Sequence, residues 1–361
     1  QLASLWALNR RGAGAGASAG DEAYVPRLSA ELRALSARAE AANAAAEREQ
    51  LIAQVGAAAN RALDGCSVEP FGSAVTGLWT PTSDLDLCVI VPGAHERHWQ
   101  ERSLRKIAGE LRRLGASRHV LPRLGAQMPI VRWAPRRAGL LACDISVNNV
   151  LAVANSRLVA QYVRLDGRVV PLARGLKEWA SQRGINDRSA GTLSSFTLVL
   201  MAIHFLQRRS PPVVPSLQDL AVRRGQPPVF IRSVDCRYCS RAPDIAAELE
   251  RLRGERPAND EALGLLAREF FRYFGYEYEH GTIAVRDRGS FAPREDEATC
   301  YLVVDNPFEP GKDIANVGAE HYTRLREEFR RAHALLSGGA SFAEVCAPAA
   351  APGSGDPLAG P

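Results

Sequence analysis

The sequence is short of lysine. Only Lys106, Lys177 and Lys312 occur, so 42 of the 45 basic residues are arginine. Such a bias fits coding composition, and it makes each surviving lysine a candidate for a specific role. Long apolar runs are also missing. None approaches the roughly 20 residues of a membrane span, so no membrane partner is expected. The seven cysteines are an odd number, with no secretory pattern ahead of them. That argues against a disulfide framework and for a reducing compartment. Cys236 and Cys239 form one CxxC without the second ligand pair of a zinc site, so ordinary thiols in a loop are expected there. Neither sign of charge dominates, with a net charge of +5 and a pI near 8.9. This balance admits a nucleic-acid partner without demanding one.

What is present is an ordinary globular composition, 46% hydrophobic and 24% charged, in a chain of 361 residues. That length allows two domains, each with a core of its own. Residues 1–22 read as a disordered or transit-like tail. Their first 20 residues hold two arginines, many small residues and no acid. A mitochondrial location is expected on that basis, with the cytoplasm as the alternative. Residues 346–361 read as a second disordered tail.

Between the tails, Ala, Leu, Glu and Arg at helical spacing predict one long helix from Pro26 to about Leu63, with room for a break. Strand-like runs follow at Ser67 to Phe71, Leu85 to Val91, Arg118 to Leu121, Met128 to Trp133 and Leu140 to Val147. A short helix over 73–79 and an amphipathic helix from Glu96 to Leu114 lie among them. From about 156 the pattern is helical, apart from a short strand, Tyr301 to Val304, and the turn-rich NPFEPG. No internal repeat is visible.

The stretch FGSAVTGLWTPTSDLDLCVI, residues 71–90, carries the chemistry. Asp84 and Asp86 stand two apart in a run that otherwise reads as a buried strand, so both side chains share one face. Two such carboxylates repel, and desolvating them is costly. A divalent cation removes both costs, and Mg²⁺ prefers carboxylate oxygens. Two ions ~4 Å apart can activate a hydroxyl and stabilise a leaving phosphate. Asp144, in LLACDISVNN, is a third lone acid in an apolar strand pattern. Gly72-Ser73 suits a phosphate cradle at a helix N-terminus. Phosphoryl or nucleotidyl transfer is the reading these residues support.

The order GS–TGL–SDLDL, then CDISVNN, resembles the DNA polymerase β-like nucleotidyltransferases. Farther on, LKEWASQRGI, GTLSSFTLVLMAIHFLQ and VDNPFEPGKDIANV resemble the helical domain of noncanonical poly(A) polymerases and terminal uridylyltransferases, including the minimal trypanosomatid enzymes. The likeness runs from about residue 65 to 335. It implies an α/β + α fold, with a polymerase β-like domain of mixed sheet and flanking helices (64–155) facing a mainly helical poly(A)-polymerase-associated domain (156–345) across a cleft. Residues 23–63 are then expected to pack as a helix on the helical domain.

The resemblance implies that Asp84, Asp86 and Asp144 hold two Mg²⁺ or Mn²⁺ ions. It places Gly72 and Ser73 at the phosphates, with Ser156 near them. Asn155 falls to the ribose 2′-hydroxyl, Lys177 to the triphosphate, and Ser195-Phe196 to the base, whose ring would stack on Phe196. Glu309 is the carboxylate of a base-reading segment in which Asn306 replaces an aspartate. Uracil N3–H is a donor and adenine N1 an acceptor, so a carboxylate there favours uracil. Two departures are plain. Ser181 stands where many relatives carry a second lysine, leaving Arg174 and Arg183 to compensate. Ala315 stands where some uridine-selective relatives carry histidine. Arginines 105, 112, 113, 118, 123, 132, 136 and 137 are available to steer an RNA backbone.

The expected activity is template-independent transfer of UMP from UTP to an RNA 3′-hydroxyl, on a single-stranded or overhanging end, with a larger RNA-processing or editing complex as a partner to be tested. Adenylyl transfer by a noncanonical poly(A) polymerase is the near alternative. A non-catalytic RNA-binding scaffold and nucleotidyl transfer to a small molecule are the distant ones.

Overall fold

The computed structural model describes residues 19–348, apart from 43, 94–95, 115–117, 138–139, 279–280 and 288–301. Two helices lead, α1 (Ala19–Ala41) and α2 (Ala45–Ala62). Then come β1 (Ser67–Phe71), the one-turn α3 (Ser73–Thr76), β2 (Leu85–Ile90), α4 (Arg97–Arg113), β3 (Arg118–Arg123), β4 (Ile130–Pro135) and β5 (Cys143–Val147). The five strands form one mixed sheet in the order β1-β2-β5-β4-β3. Only β2 and β5 run parallel.

Alternation along β2 decides which face is which. Leu85, Leu87 and Val89 point into one core, where Leu51 and Val55 of α2 and Leu104, Ile107 and Leu111 of α4 cover them. The spacing of three and four along α4 keeps these apolar residues on one side and its arginines on the other. Asp86 faces the opposite side, and that side is flanked by α3 and by α5 (Val150–Val163).

The remaining described elements are mostly helical. They are α6 (Val169–Gln182), α7 (Ser195–Gln207), α8 (Leu217–Arg223), the two-residue strands β6 (Phe230–Ile231) and β7 (Val234–Asp235), α9 (Ala242–Arg253), α10 (Leu263–Arg272), β8 (Thr282–Ile283), β9 (Val303–Asn306), β10 (Glu309–Asp313), α11 (Ala319–Ser337) and α12 (Phe342–Val345). A second core forms here around Trp179, which meets Phe271 and Phe329 at centroid distances of 4.9 and 5.2 Å. Cys236 and Cys239 are buried in this core as free thiols.

Three expectations need correction. The stretch 23–63 is divided at residues 42–44. Leu28 and Leu32 of α1 join the helical core, whereas α2 lies on the sheet, tied there by Glu47 to Arg118 (3.3 Å) and to the Leu141 amide (3.0 Å). Helix α1 also begins at Ala19, inside the expected tail 1–22; residues 1–18 and 349–361 lie outside the described residues. Finally, the boundary at 155/156 falls in the middle of α5. That helix starts at Val150 because Asn148, at φ 52°, closes the sheet by pairing both backbone groups of Val91 (2.8 and 2.7 Å). VLAVANSRLVAQYV is apolar on most sides because it is buried between sheet and helices, so no polar stripe marked its start. The turn-rich NPFEPG forms the bend of the β9–β10 hairpin.

His204 of α7 is fully buried, with Nδ1 3.3 Å from the Ala284 carbonyl oxygen and Nε2 3.3 Å from Tyr273 Oη. Burial, and then Arg208, lowers its pKa to about 3. Because the folded value lies below the unfolded one near 6.5, its neutral form contributes stability above pH ~6.5 that is lost as pH falls toward the folded value, by about 1.4 kcal/mol per unit. Between pH 7 and pH 5, urea unfolding is expected to show wild type losing about 2 kcal/mol relative to His204→Gln, a difference that leaves the opposing titration of Asp86 common to both proteins. Parallel profiles for the two proteins would exclude His204 as the source.

Candidate active site

The parallel register of β2 and β5 puts Asp86 directly beside Asp144, and Asp84 lies just ahead of β2. The Leu85 N–H donates to the Ala142 carbonyl (2.9 Å), which holds the strand ends level. The three sequence-predicted carboxylates therefore gather on one face of the sheet, at the starting ends of its central strands β2 and β5. Burial, then Asp144 and Asp84, pushes the Asp86 carboxyl up to about 7. Burial also raises Asp144, against the opposing pull of Arg132.

Arg132 is one of the eight arginines assigned above to RNA steering, yet it sits inside this cluster. β4 places it opposite Asp144. Its Nη1 and Nη2 donate to Asp84 (2.8 and 2.9 Å), and Nη1 also reaches both oxygens of Asp144 (3.1 and 3.0 Å). Three carboxylates against one guanidinium leave a negative site made of hard oxygen donors, which suits Mg²⁺ or Mn²⁺ by ligand type and charge. As they stand, no three His, Cys, Asp or Glu side chains among the described residues converge at metal-ligand spacing. Arg132 lies between two of the donors.

The Gly72–Ser73 turn packs onto this face. Phe71 is paired with Asp86, so Gly72 passes directly over that carboxylate. A Cβ at Gly72 would lie 2.3 Å from Asp86 Oδ2, and its φ of +65° is itself a glycine conformation. The Gly72 N–H donates to Ser156 Oγ (2.8 Å), whose hydroxyl in turn donates to the Ala152 carbonyl (2.8 Å). Ser156 thus fastens the turn to α5. Ser73 opens α3.

Lys177 reaches the same face from α6. Its Nζ donates to the Leu78 carbonyl (2.8 Å) and to Ser83 Oγ (3.3 Å), next to Asp84. Burial, then Arg174, lowers its pKa to about 8, while Asp86 pulls the other way. The proposed substitutes for the lysine missing at Ser181 are engaged elsewhere. Arg174 holds Ser36, Glu40 and the Gly77 carbonyl, and Arg183 holds Glu328 and the Ala347 carbonyl.

Asn155, in the second turn of α5 rather than at its start, is 5% exposed. Its Nδ2 donates to Asn306 Oδ1 (3.4 Å), and its Oδ1 has no hydrogen-bond partner among the described residues. An orphaned buried acceptor is costly, so a ligand hydroxyl would complete it. Asn306 is turned inward, because its Oδ1 also accepts from the Phe308 amide (3.1 Å). That oxygen ties the β9–β10 hairpin to α5. Glu309 pairs with Lys312 (2.9 Å), a contact the sequence reading missed although lysine scarcity had marked Lys312. Ser195 Oγ accepts from Asn186 Nδ2 (3.0 Å), Phe196 lies partly buried against the helical core, and Ala315 is fully buried. Of the arginines, 105, 113 and 118 are paired to glutamates, while 112, 123, 136 and 137 are exposed. Arg123 also acts on Asp144 electrostatically.

This geometry has known counterparts. The family model described as poly(A) RNA polymerase, mitochondrial-like, central palm domain matches residues 28–164. Poly(A) RNA polymerase cid13 of Schizosaccharomyces pombe is 32% identical over 76% of this chain and 47% of its own length. Poly(A) RNA polymerase GLD2-A of Xenopus laevis is 35% identical over 74% and 51%. Human terminal uridylyltransferase 7 is 31% identical over 68% and 16%. The chain thus spans about half the length of the two poly(A) polymerases. Among solved structures, the Cid1 poly(U) polymerase aligns over 84% of this chain and 93% of its own, with a TM-score of 0.69 and 25% identity. With a polymerase β-like sheet that sets three aspartates on one face, the chain belongs to the noncanonical poly(A) polymerase and terminal uridylyltransferase family of nucleotidyltransferases.

Proposed function

We propose that the protein adds nucleotides to RNA 3′-ends without a template, with UTP as its preferred donor. The observation that carries this is the in-register pairing of Asp86 with Asp144 beside Asp84, under a glycine turn and next to a buried lysine. Asp84, Asp86 and Asp144 would hold two divalent ions. Such ions, when bound, supply activation of the attacking hydroxyl and charge stabilisation for the departing pyrophosphate.

The chain's own residues do the rest. Gly72 lets the backbone approach the triphosphate, and Ser73 offers a hydroxyl at the start of α3. Lys177 holds positive charge at the phosphate side of the carboxylates. Asn155 offers its unpartnered Oδ1 to the ribose 2′-hydroxyl, which selects ribonucleotides. Phe196 stacks on the base, an interaction worth ~1–3 kcal/mol. Arg123, exposed and close enough to act on Asp144, neutralises the RNA backbone near its 3′-end. Glu309 accepts from uracil N3–H. Solved complexes of Cid1 with its product ApU and with the UTP analogue UMPNPP are consistent with RNA and uridine nucleotides as ligands.

Adenylyl transfer is the second reading. Glu309 and Lys312 stand side by side as acceptor and donor, and that pair also matches adenine N6–H and N1.

Primer extension on a short single-stranded RNA, one nucleoside triphosphate at a time, is expected to favour UTP. Asp86→Ala should slow it at least about 100-fold. Faster extension with ATP would replace uridylyl by adenylyl transfer, and none with any nucleotide would favour the scaffold. Asn155→Ala is expected to lower the kcat/KM preference for UTP over dUTP about tenfold, the worth of one hydrogen bond. An unchanged ratio means that the ribose is read elsewhere. Gly72→Ala should abolish extension and destabilise the fold by about 1–2 kcal/mol, because its methyl meets Asp86 and its backbone is left-handed. Near-normal extension by that variant would remove Gly72 from the cradle.

A further inference from the structure

We propose that Arg132 is a positioning residue that competes with a divalent cation for Asp84 and Asp144. The inference rests on the nucleotidyl-transfer reading above and deepens it.

The contacts are specific. Both oxygens of Asp84 accept from the guanidinium, one from each terminal nitrogen (2.8 and 2.9 Å). Both oxygens of Asp144 accept from Nη1 (3.1 and 3.0 Å). A guanidinium is a permanent planar cation with five donors and no lone pair to offer. It can replace the charge of a metal ion between two carboxylates, but it cannot enter that ion's coordination shell. A bidentate fork of this kind is among the strong charge-assisted contacts. Arg132 must therefore let go of Asp84 before that carboxylate can ligate an ion.

The surroundings fit a side chain that moves. Arg132 is held by a strand next to the edge strand β3, and its side chain keeps 23% of its surface open, so a released head group returns to water. Lys177 contrasts with it, because its ammonium is fixed on the Leu78 carbonyl and Ser83 whether or not the carboxylates change partners. Asp86 is outside the fork and remains available as the first ligand. The expected result is weak binding of free cation, with tight binding only when the phosphates of a nucleoside triphosphate supply further oxygens.

The test is Mn²⁺ titration of the full chain without nucleotide, followed by electron paramagnetic resonance of the free ion. Wild type is compared with Arg132→Lys and Arg132→Gln, with Asp86→Ala as the control for the site, and melting is recorded with and without Mn²⁺. Arg132→Gln should bind Mn²⁺ about tenfold more tightly than wild type. It should melt lower in the absence of metal, and saturating Mn²⁺ should close that gap. Arg132→Lys, which keeps the charge and loses the fork, should fall between. Affinity in Arg132→Gln equal to or below wild type overturns the proposal. So does Arg132→Lys behaving as wild type, since charge alone would then explain the change. These readouts need no catalysis. A protein that follows them yet extends no RNA keeps the competition and loses the proposed activity.

Discussion

Mutual repulsion among Asp84, Asp86 and Asp144 is the constraint around which the rest is arranged. Their positions follow from strand register, so the chain cannot relieve the repulsion by moving one of them away. It answers with charge and with space. Arg132 lies across two of the carboxylates, and Lys177 approaches from a different helix. Gly72 gives up its side chain so that Asp86 has room. Burial, and after it the repulsion that remains uncompensated, raises the Asp86 carboxyl. A site with this residual negative charge is poised for cations.

Much of this was legible in the sequence, for a physical reason. An acid inside an apolar strand pattern is expensive, so Asp84, Asp86 and Asp144 stood out against their neighbours. Lysine stood out against an arginine background, and both Lys177 and Lys312 make specific contacts. Arg132 was hidden by the same background, since one arginine among 42 carries no signal. The start of α5 was hidden because a helix covered on most sides has no polar face to set its period. The division of the N-terminal helices was hidden because α1 and α2 share one composition while their apolar residues serve different cores.

The inward turn of Asn306 ties the β9–β10 hairpin to α5. The likeness places this residue at the base edge. Its amide oxygen accepts from the Phe308 amide and from Asn155 Nδ2. Glu309 and Lys312, farther out on β10, pair with each other.

Helix α5 joins the two parts without a linker, and Asn155 and Ser156 are consecutive on it. One holds Asn306 of the β9–β10 hairpin and the other the glycine turn, about 100° apart around a single axis. A rigid helix cannot shift one without the other. The hairpin contact of Asn155 and the fastening of the glycine turn by Ser156 are therefore one mechanical degree of freedom: a movement of the β9–β10 hairpin that carries α5 with it also displaces the turn that lies over Asp86.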